Sequence, residues 1–301
     1  MATTTTTTPP PPSPPPPPLK ICFITAIYGG YEKSCKKFAP QTVKETDFVC
    51  FTDNPKIISN GWTIDTTPYH TVSPSPSDDG LYTNSMTRNR HTFNVAKYYK
   101  QAFLNIARLK HYDVIVWLDG TVEIHNSHTA EWIIRNIETH KIIGWEHENR
   151  RGKLQHEMED SRNFYRYSST FWNNQVQPYQ NVKKQYDEYV HHGYDDTHFF
   201  PSLCSQLENI TGGKKHNVKH THNLGVWITC FVAFHCKNPK VVQFLDNWYL
   251  QTLKYTTQDQ IGFSYCVQTS GIIPHTLPDD EIKGERPHNF TDFYIKHNHG
   301  N

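Results

Sequence analysis

Residues 113–121 read DVIVWLDGT, an apolar run that ends in an acidic residue and a glycine. A short run of β-branched and apolar residues is typical of a buried strand, and Asp119-Gly120 then stops it. In open α/β sheets, ligands bind beyond the carboxyl ends of the strands. We therefore expect Asp119 where its carboxylate can hold a divalent cation or a ligand hydroxyl, and Gly120 where a ligand can approach the backbone. The alternative is an ordinary turn with a solvated aspartate.

Strands and helices alternate on both sides of this run. Apolar runs predict strands at residues 19–27, 47–52, 62–64, 141–145 and 224–234. Helical spacing of apolar residues predicts helices at 86–109, 129–139, 181–191, 239–253 and 260–267. Such alternation favours an α/β sheet with crossover helices.

Composition separates the N-terminus from the rest of the chain. Nine of the 20 prolines lie in the first 18 residues, so we expect 1–18 to be a disordered Thr/Pro-rich leader and 19–301 to be a single domain. The formal charge is only +1, from 30 basic and 29 acidic residues, which argues against nucleic-acid binding through a net positive field. The aromatic share of 13% does not fit a disordered chain.

Several function and location classes are disfavoured. The seven cysteines are scattered without a CxxC pair, which indicates reduced thiols. The chain shows no secretory signal pattern and no apolar run of membrane-spanning length, so we expect a cytoplasmic location without a membrane span. Motifs of the GxGxxG, GxxxxGK[ST], GxSxG and HExxH types are absent, which disfavours dehydrogenases, P-loop NTPases, elbow-type hydrolases and zincins.

The order of the segments is more informative than any one of them. The chain runs through ITAIYGGYE, DFVCFTDNP, RNRHTFNVAK, YDVIVWLDGTVEI, HENR, HNLGVWITCFVAFHCKNP and TTQDQIGFSY. Over about residues 21–270, this succession resembles a glycosyltransferase-like family, long labelled a domain of unknown function. That family includes plant mucilage-related and turgor-regulation proteins, with bacterial and viral homologues. The compact chain with its leader also resembles enzymes that large algal viruses encode to glycosylate capsid protein, which would act in the host cytoplasm.

The resemblance implies a GT-A-like nucleotide-diphospho-sugar transferase fold, an α/β domain with a central mixed sheet flanked by helices. It implies transfer of a sugar from a nucleotide-diphosphate sugar to a hydroxyl of a glycan or glycoprotein, assisted by Mn²⁺ or Mg²⁺. A UDP-sugar is the favoured donor, with xylose as one option. Two alternatives stay open: a metal-dependent hydrolase on the same scaffold, and a non-catalytic relative that only binds sugar nucleotides.

The resemblance also implies roles for individual residues. The nucleotide base and ribose would be held by Thr25, Ala26, Tyr28, Gly29 and Asp53, although an Asx turn before Pro55 is the alternative for Asp53. The remaining nucleotide-sugar-binding residues would be Arg88 (or Arg90), Lys97, Gly120, His147, Arg150, Asn223, Gly225 and Gln260. Of these, Arg88 and Lys97 would neutralise the diphosphate unless they are merely solvated cations on a helix face.

Metal and catalytic roles follow from the same resemblance. Asp119 matches the acid of the metal motif, but Trp117 occupies the position of its usual first acid. A further ligand would come from His297 or His299, unless this terminus is frayed and solvated. Asp259 would be the general base of an inverting displacement, with a helix N-cap as the alternative.

Overall fold

The computed structural model describes residues 18–69, 92–146, 153–162, 181–196, 225–256, 258–277 and 291–298. The strands in these ranges are β1 (Ile21–Ile27), β2 (Thr46–Thr52), β3 (Thr63–Asp65), β4 (Val114–Leu118), β5 (Val122–Ile124), β6 (Ile142–Glu146), β7 (Trp227–His235), β8 (His275–Thr276) and β9 (Tyr294–Lys296). The α-helices are α1 (Thr92–Gln101), α2 (Thr129–His140), α3 (Leu154–Ser161), α4 (Val182–His191), α5 (Pro239–Lys254) and α6 (Asp259–Ser270).

Seven strands form one mixed sheet in the order β3-β2-β1-β4-β7-β6-β8. Strands β3, β2, β1 and β4 are mutually parallel, whereas β7 runs antiparallel to both of its neighbours, β4 and β6. Strands β5 and β9 form a separate antiparallel pair. The predicted α/β class, a central mixed sheet flanked by helices, is therefore confirmed.

Each face of the sheet carries its own apolar core. Cys22 and Ile24 of β1 and Trp117 of β4 pack with residues of α1, α5 and α6. Phe23 of β1 and Val116 of β4 point the other way and pack with residues of α2. Because strands β1 and β4 are covered on both faces, they appear in the sequence as continuous apolar runs rather than as alternating ones. This explains why the sequence identified them so clearly.

Within the described residues, the helix predicted at 86–109 is shorter than the sequence pattern predicts. Helix α1 ends at Gln101, and two single 3₁₀ turns follow at Phe103–Asn105 and Ala107–Leu109. Ile106, which separates these turns, has an extended backbone (φ −84°, ψ 113°), so the helix cannot continue through it. Residues 86–91 lie outside the described residues.

The C-terminal part contains an element that the sequence did not predict. Tyr294–Lys296 forms β9, which pairs with β5 directly after the Asp119-Gly120 turn. His297 therefore follows a paired strand rather than belonging to a frayed end. Among the described helices, none is both long enough and apolar enough to cross a membrane.

Candidate functional site

The sheet topology defines where a ligand is expected. The chain adds β2 and β3 on one side of β1 and then places β4 on the other side, so the strand order reverses between β1 and β4. Ligands of open α/β sheets bind outside the carboxyl ends of the strands at such a reversal. At this edge, Tyr28 and Gly29 follow β1, Asp53 follows β2 and Asp119 follows β4.

Asp53 holds the turn that follows β1. The Gly29 amide donates to both carboxylate oxygens of Asp53, at 3.2 and 3.0 Å. Gly29 has φ +67°, a conformation that glycine adopts at little cost. The Asx turn before Pro55 is made by the next residue, Asn54, whose Oδ1 accepts from the Lys56 amide. Asp53 therefore joins the ends of two parallel strands.

Tyr28 contributes an aromatic side chain at the end of β1. Its hydroxyl donates to the Tyr99 hydroxyl at 2.9 Å, and the two rings stack with centroids 5.6 Å apart. Both tyrosines are buried, and burial raises the pKa of each phenol, to about 12 for Tyr99. The pair therefore forms an uncharged aromatic wall next to the Gly29 turn.

Asp119 is held by contacts to one of its two carboxylate oxygens. Because side chains alternate along a strand, Asp119 points to the same face as Trp117, toward α1. The Trp117 indole donates to Asp119 Oδ1 at 2.8 Å, and Lys100 Nζ lies 3.5 Å from the same oxygen. No described residue hydrogen-bonds Oδ2, and 37% of the side-chain surface is exposed. One oxygen is thus fixed by the protein while the other is available to a ligand.

Two lysines of α1 contact Asp259, and one of them, Lys100, also contacts Asp119. Lys97 and Lys100 are three residues apart, so they lie on the same helix face. Lys97 Nζ is 3.0 Å and Lys100 Nζ 2.5 Å from Asp259 Oδ2. We call Lys97, Lys100, Asp119 and Asp259 the acid–lysine cluster.

Lys100 is the buried centre of this cluster. Its side chain is 1% exposed, and its ammonium also donates to Thr229 Oγ1 of β7 at 3.1 Å. The ammonium lies 5.6 Å from the ring centroid of Trp117 and 5.8 Å from that of Trp248, distances at which a cation and an aromatic ring attract. Lys100 is therefore enclosed by carboxylates, a hydroxyl and two indoles.

The charges of the cluster stabilise one another. Burial raises the pKa of Asp119, but Lys100, Lys97 and Lys296 more than offset this and hold it at about 2. Burial likewise raises the pKa of Asp259, and Lys100 and Lys97 bring it below the ordinary value. Burial lowers the pKa of Lys97, whereas the two carboxylates raise the pKa of Lys100 despite its burial. Both carboxylates are accordingly ionised at neutral pH.

Asp259 lies at the start of α6 but is not its N-cap. The N-cap is Gln258, and Asp259 is the first residue of the helix, where a negative charge interacts favourably with the helix dipole. The Trp248 indole donates to the backbone carbonyl of Asp259 at 2.8 Å. The tryptophan of α5 therefore fixes the backbone of Asp259 at the helix end.

The other predicted binding residues are not members of the acid–lysine cluster. Thr25 is 2% exposed and points to the face that α2 covers, away from the cluster. Ala26 and Gly225 are buried, and Gln260 is half-buried in the first turn of α6. A Cβ on Gly120 would lie 3.1 Å from the Ile27 side chain, so this glycine serves close packing between β1 and the turn.

Several predicted residues lie outside the described residues, so their roles stay predictions. They are Arg88, Arg90, His147, Arg150, Asn223 and His299.

Asp119 and His297, the two described residues that were predicted to hold a divalent metal, do not form a fitting donor set. His297 Nε2 is 2.9 Å from Glu123 Oε2 and is therefore engaged by a carboxylate of β5. Asp119 Oδ1 already accepts from Trp117 and faces the Lys100 ammonium. The described residues contain no group of three or more His, Cys, Asp or Glu side chains arranged to hold a metal ion. A single carboxylate oxygen beside an ammonium group is a poor site for a hard dication, which requires several oxygen ligands.

Sequence reasoning missed Lys100, Thr229 and Lys296. The spacing from Lys97 to Lys100 was a usable signal, because residues three apart share a helix face. Thr229 and Lys296 reach the site only through strand pairing, by β7 against β4 and by β9 against β5.

No protein-family model matches the chain, and no curated protein sequence matches it. Several solved structures are similar in fold. Mouse xyloside xylosyltransferase 1 in its apo form is 8% identical, with a TM-score of 0.44 over 86% of this chain and 84% of that chain. The apo bifunctional glycosyltransferase WbbM is 10% identical, with a TM-score of 0.41 over 87% of this chain and 39% of that chain. The mannosyltransferase Ktr4p from S. cerevisiae is 11% identical, with a TM-score of 0.33 over 85% of this chain and 66% of that chain. No residue role is transferred from these proteins, because their TM-scores are below 0.5.

Proposed function

We propose that the chain is a glycosyltransferase that uses a nucleotide-diphosphate sugar, with a UDP-sugar as the favoured donor. The acceptor would be a hydroxyl of a glycan or glycoprotein. The observation that carries the proposal is the acid–lysine cluster at the carboxyl end of β4, beside the reversal of strand order. Fixed cations at such an edge suit a diphosphate, because charge-assisted hydrogen bonds to phosphate oxygens are among the strongest in proteins.

Different parts of the donor would contact different residues at this edge of the sheet. Tyr28, Gly29 and Asp53 would contact the base and ribose at the ends of β1 and β2. Lys97, whose side chain is 16% exposed, is the more accessible of the two lysines and would contact the diphosphate. The available Oδ2 of Asp119 would accept a hydrogen bond from a hydroxyl of the donor sugar.

The proposed reaction is a displacement at the anomeric carbon. The acceptor oxygen forms a bond to that carbon, and the bond from the carbon to the diphosphate oxygen breaks. The diphosphate leaves with the electron pair, and the acceptor hydroxyl gives up its proton to a base. Preorganised ammonium groups stabilise the charge that develops on the leaving group. A single displacement of this kind inverts the configuration.

A panel of UDP- and GDP-sugars tests the proposal. We expect a matching donor to raise the thermal unfolding temperature, since a ligand at 100 times its Kd stabilises a protein by about 2.7 kcal/mol. With an acceptor present, free nucleoside diphosphate should be released. Stabilisation without release would indicate a non-catalytic binding protein, and sugar hydrolysis without any nucleotide effect would indicate a hydrolase.

Asp259 has two possible roles, which one substitution separates. A general base works best with a pKa near the operating pH, whereas two ammonium groups hold the pKa of Asp259 below its ordinary value. We therefore expect Asp259 to position the lysines, so that in Asp259→Asn they are no longer held at the donor edge and UDP binding weakens about tenfold. Calorimetry would measure the UDP affinity, with the exposed Asp246→Asn on α5 as the control.

The opposite pattern would support Asp259 as the base. In that case the UDP affinity of Asp259→Asn would equal that of the unmodified protein, while kcat would fall by about 10²–10⁴-fold.

A further inference from the structure

We propose that this site binds the donor diphosphate without a divalent metal, because the Lys100 ammonium already lies beside Asp119 and neutralises it. The inference rests on the proposed function and adds that lysine side chains, rather than a metal ion, contact the diphosphate. It departs from the metal-assisted reaction that the sequence resemblance implied.

The Lys100 ammonium is enclosed by oxygen atoms of the protein. Three oxygen atoms of the protein lie around it: Asp259 Oδ2 at 2.5 Å, Thr229 Oγ1 at 3.1 Å and Asp119 Oδ1 at 3.5 Å. The side chain is 1% exposed, so no solvent replaces these contacts. Displacing the ammonium would remove the nearest cation from the buried Asp259 carboxylate, which is unfavourable.

The charges of the described residues also favour an anion over a dication at this site. The acid–lysine cluster holds two ammonium and two carboxylate groups, and Lys296 adds a further positive charge that acts on Asp119. A dication at Asp119 would have to share one carboxylate with these cations. A diphosphate, in contrast, brings negative charge to these five described groups, of which three are lysines and two are carboxylates.

The two lysines differ in their contacts and in their exposure. Lys97 contacts only Asp259 in the cluster, at 3.0 Å, and is more exposed than Lys100. Lys97 can therefore turn toward a phosphate oxygen while Lys100 keeps both carboxylates neutralised. The site then needs no added cation before the donor binds.

The experiment measures binding of UDP and GDP by calorimetry, once with excess EDTA and once with Mn²⁺. We expect the Kd of the bound nucleotide to agree within about twofold between the two conditions. Lys97→Met should weaken this binding by about tenfold or more in EDTA, as expected for loss of a charged partner of phosphate. Lys110→Met removes the same charge from an exposed position before β4, at the opposite edge of the sheet, and should leave the affinity unchanged.

The outcomes distinguish this inference from the proposed function. Nucleotide binding that requires Mn²⁺ would overturn the metal-free site and leave the glycosyltransferase proposal standing. If a nucleotide binds in EDTA and Lys97→Met does not weaken that binding, the proposed role of the lysines is overturned. If neither nucleotide binds under either condition, the proposed function fails and this inference fails with it.

Discussion

Replacing Lys100 with Met is expected to lower the free energy of unfolding by about 3–5 kcal/mol, because it removes one partner from a buried set of ion pairs. Methionine nearly preserves the volume of the side chain and its packing between Trp117 and Trp248. The electrostatic loss therefore dominates: Asp259 loses its nearest cation, and Asp119 loses the one beside its Oδ1. Urea denaturation followed by circular dichroism would measure the change.

A double variant tests whether the loss comes from the ion pair. In Lys100→Met/Asp259→Asn both charges are removed, so the combined cost should be smaller than the sum of the two single costs. The exposed Lys110→Met should change the stability by no more than about 0.5 kcal/mol. A cost below about 1 kcal/mol for Lys100→Met alone would contradict the description of Lys100 as a buried counter-ion.

The sheet was predictable because its strands are buried on both faces. Such strands show continuous apolar runs, and the predicted runs at 19–27, 47–52 and 224–234 correspond to β1, β2 and β7. Strands β5 and β9 have only three residues each, too few for any periodicity to show. Their pairing depends on a contact between distant parts of the chain, which no local pattern encodes.

The site was predictable only in part. The resemblance selected Lys97, Asp119 and Asp259 one by one, for three separate roles in binding, metal coordination and catalysis. Their association depends on α1, β4 and α6 meeting at one sheet edge, which is a property of the topology. Lys100 was missed because a lysine within an apolar helix face carries no sign of burial until its two carboxylate partners are known.

Replacing Asp119 with Asn is expected to reduce kcat/KM for sugar transfer by about 100-fold while the protein stays folded, since hydrogen bonds to charged groups contribute about 1.5–3 kcal/mol. The amide oxygen of Asn can take the place of Oδ1 and accept from Trp117 and Lys100, so the local structure persists. The amide nitrogen then replaces Oδ2 and presents a donor where the proposed sugar hydroxyl needs an acceptor.

The matched control for this variant lies at the other end of the same strand. Asp113 precedes β4, and its Oδ2 accepts from the exposed Lys20 amide at 2.9 Å. Asp113→Asn makes the same chemical change away from the carboxyl-end edge and should leave kcat/KM unaltered. Initial-rate kinetics over a range of donor concentrations would compare the two variants, with thermal unfolding to verify that each is folded. Unchanged turnover in Asp119→Asn would remove Asp119 from the donor site, because the carboxylate is the only group at the end of β4 that the substitution alters.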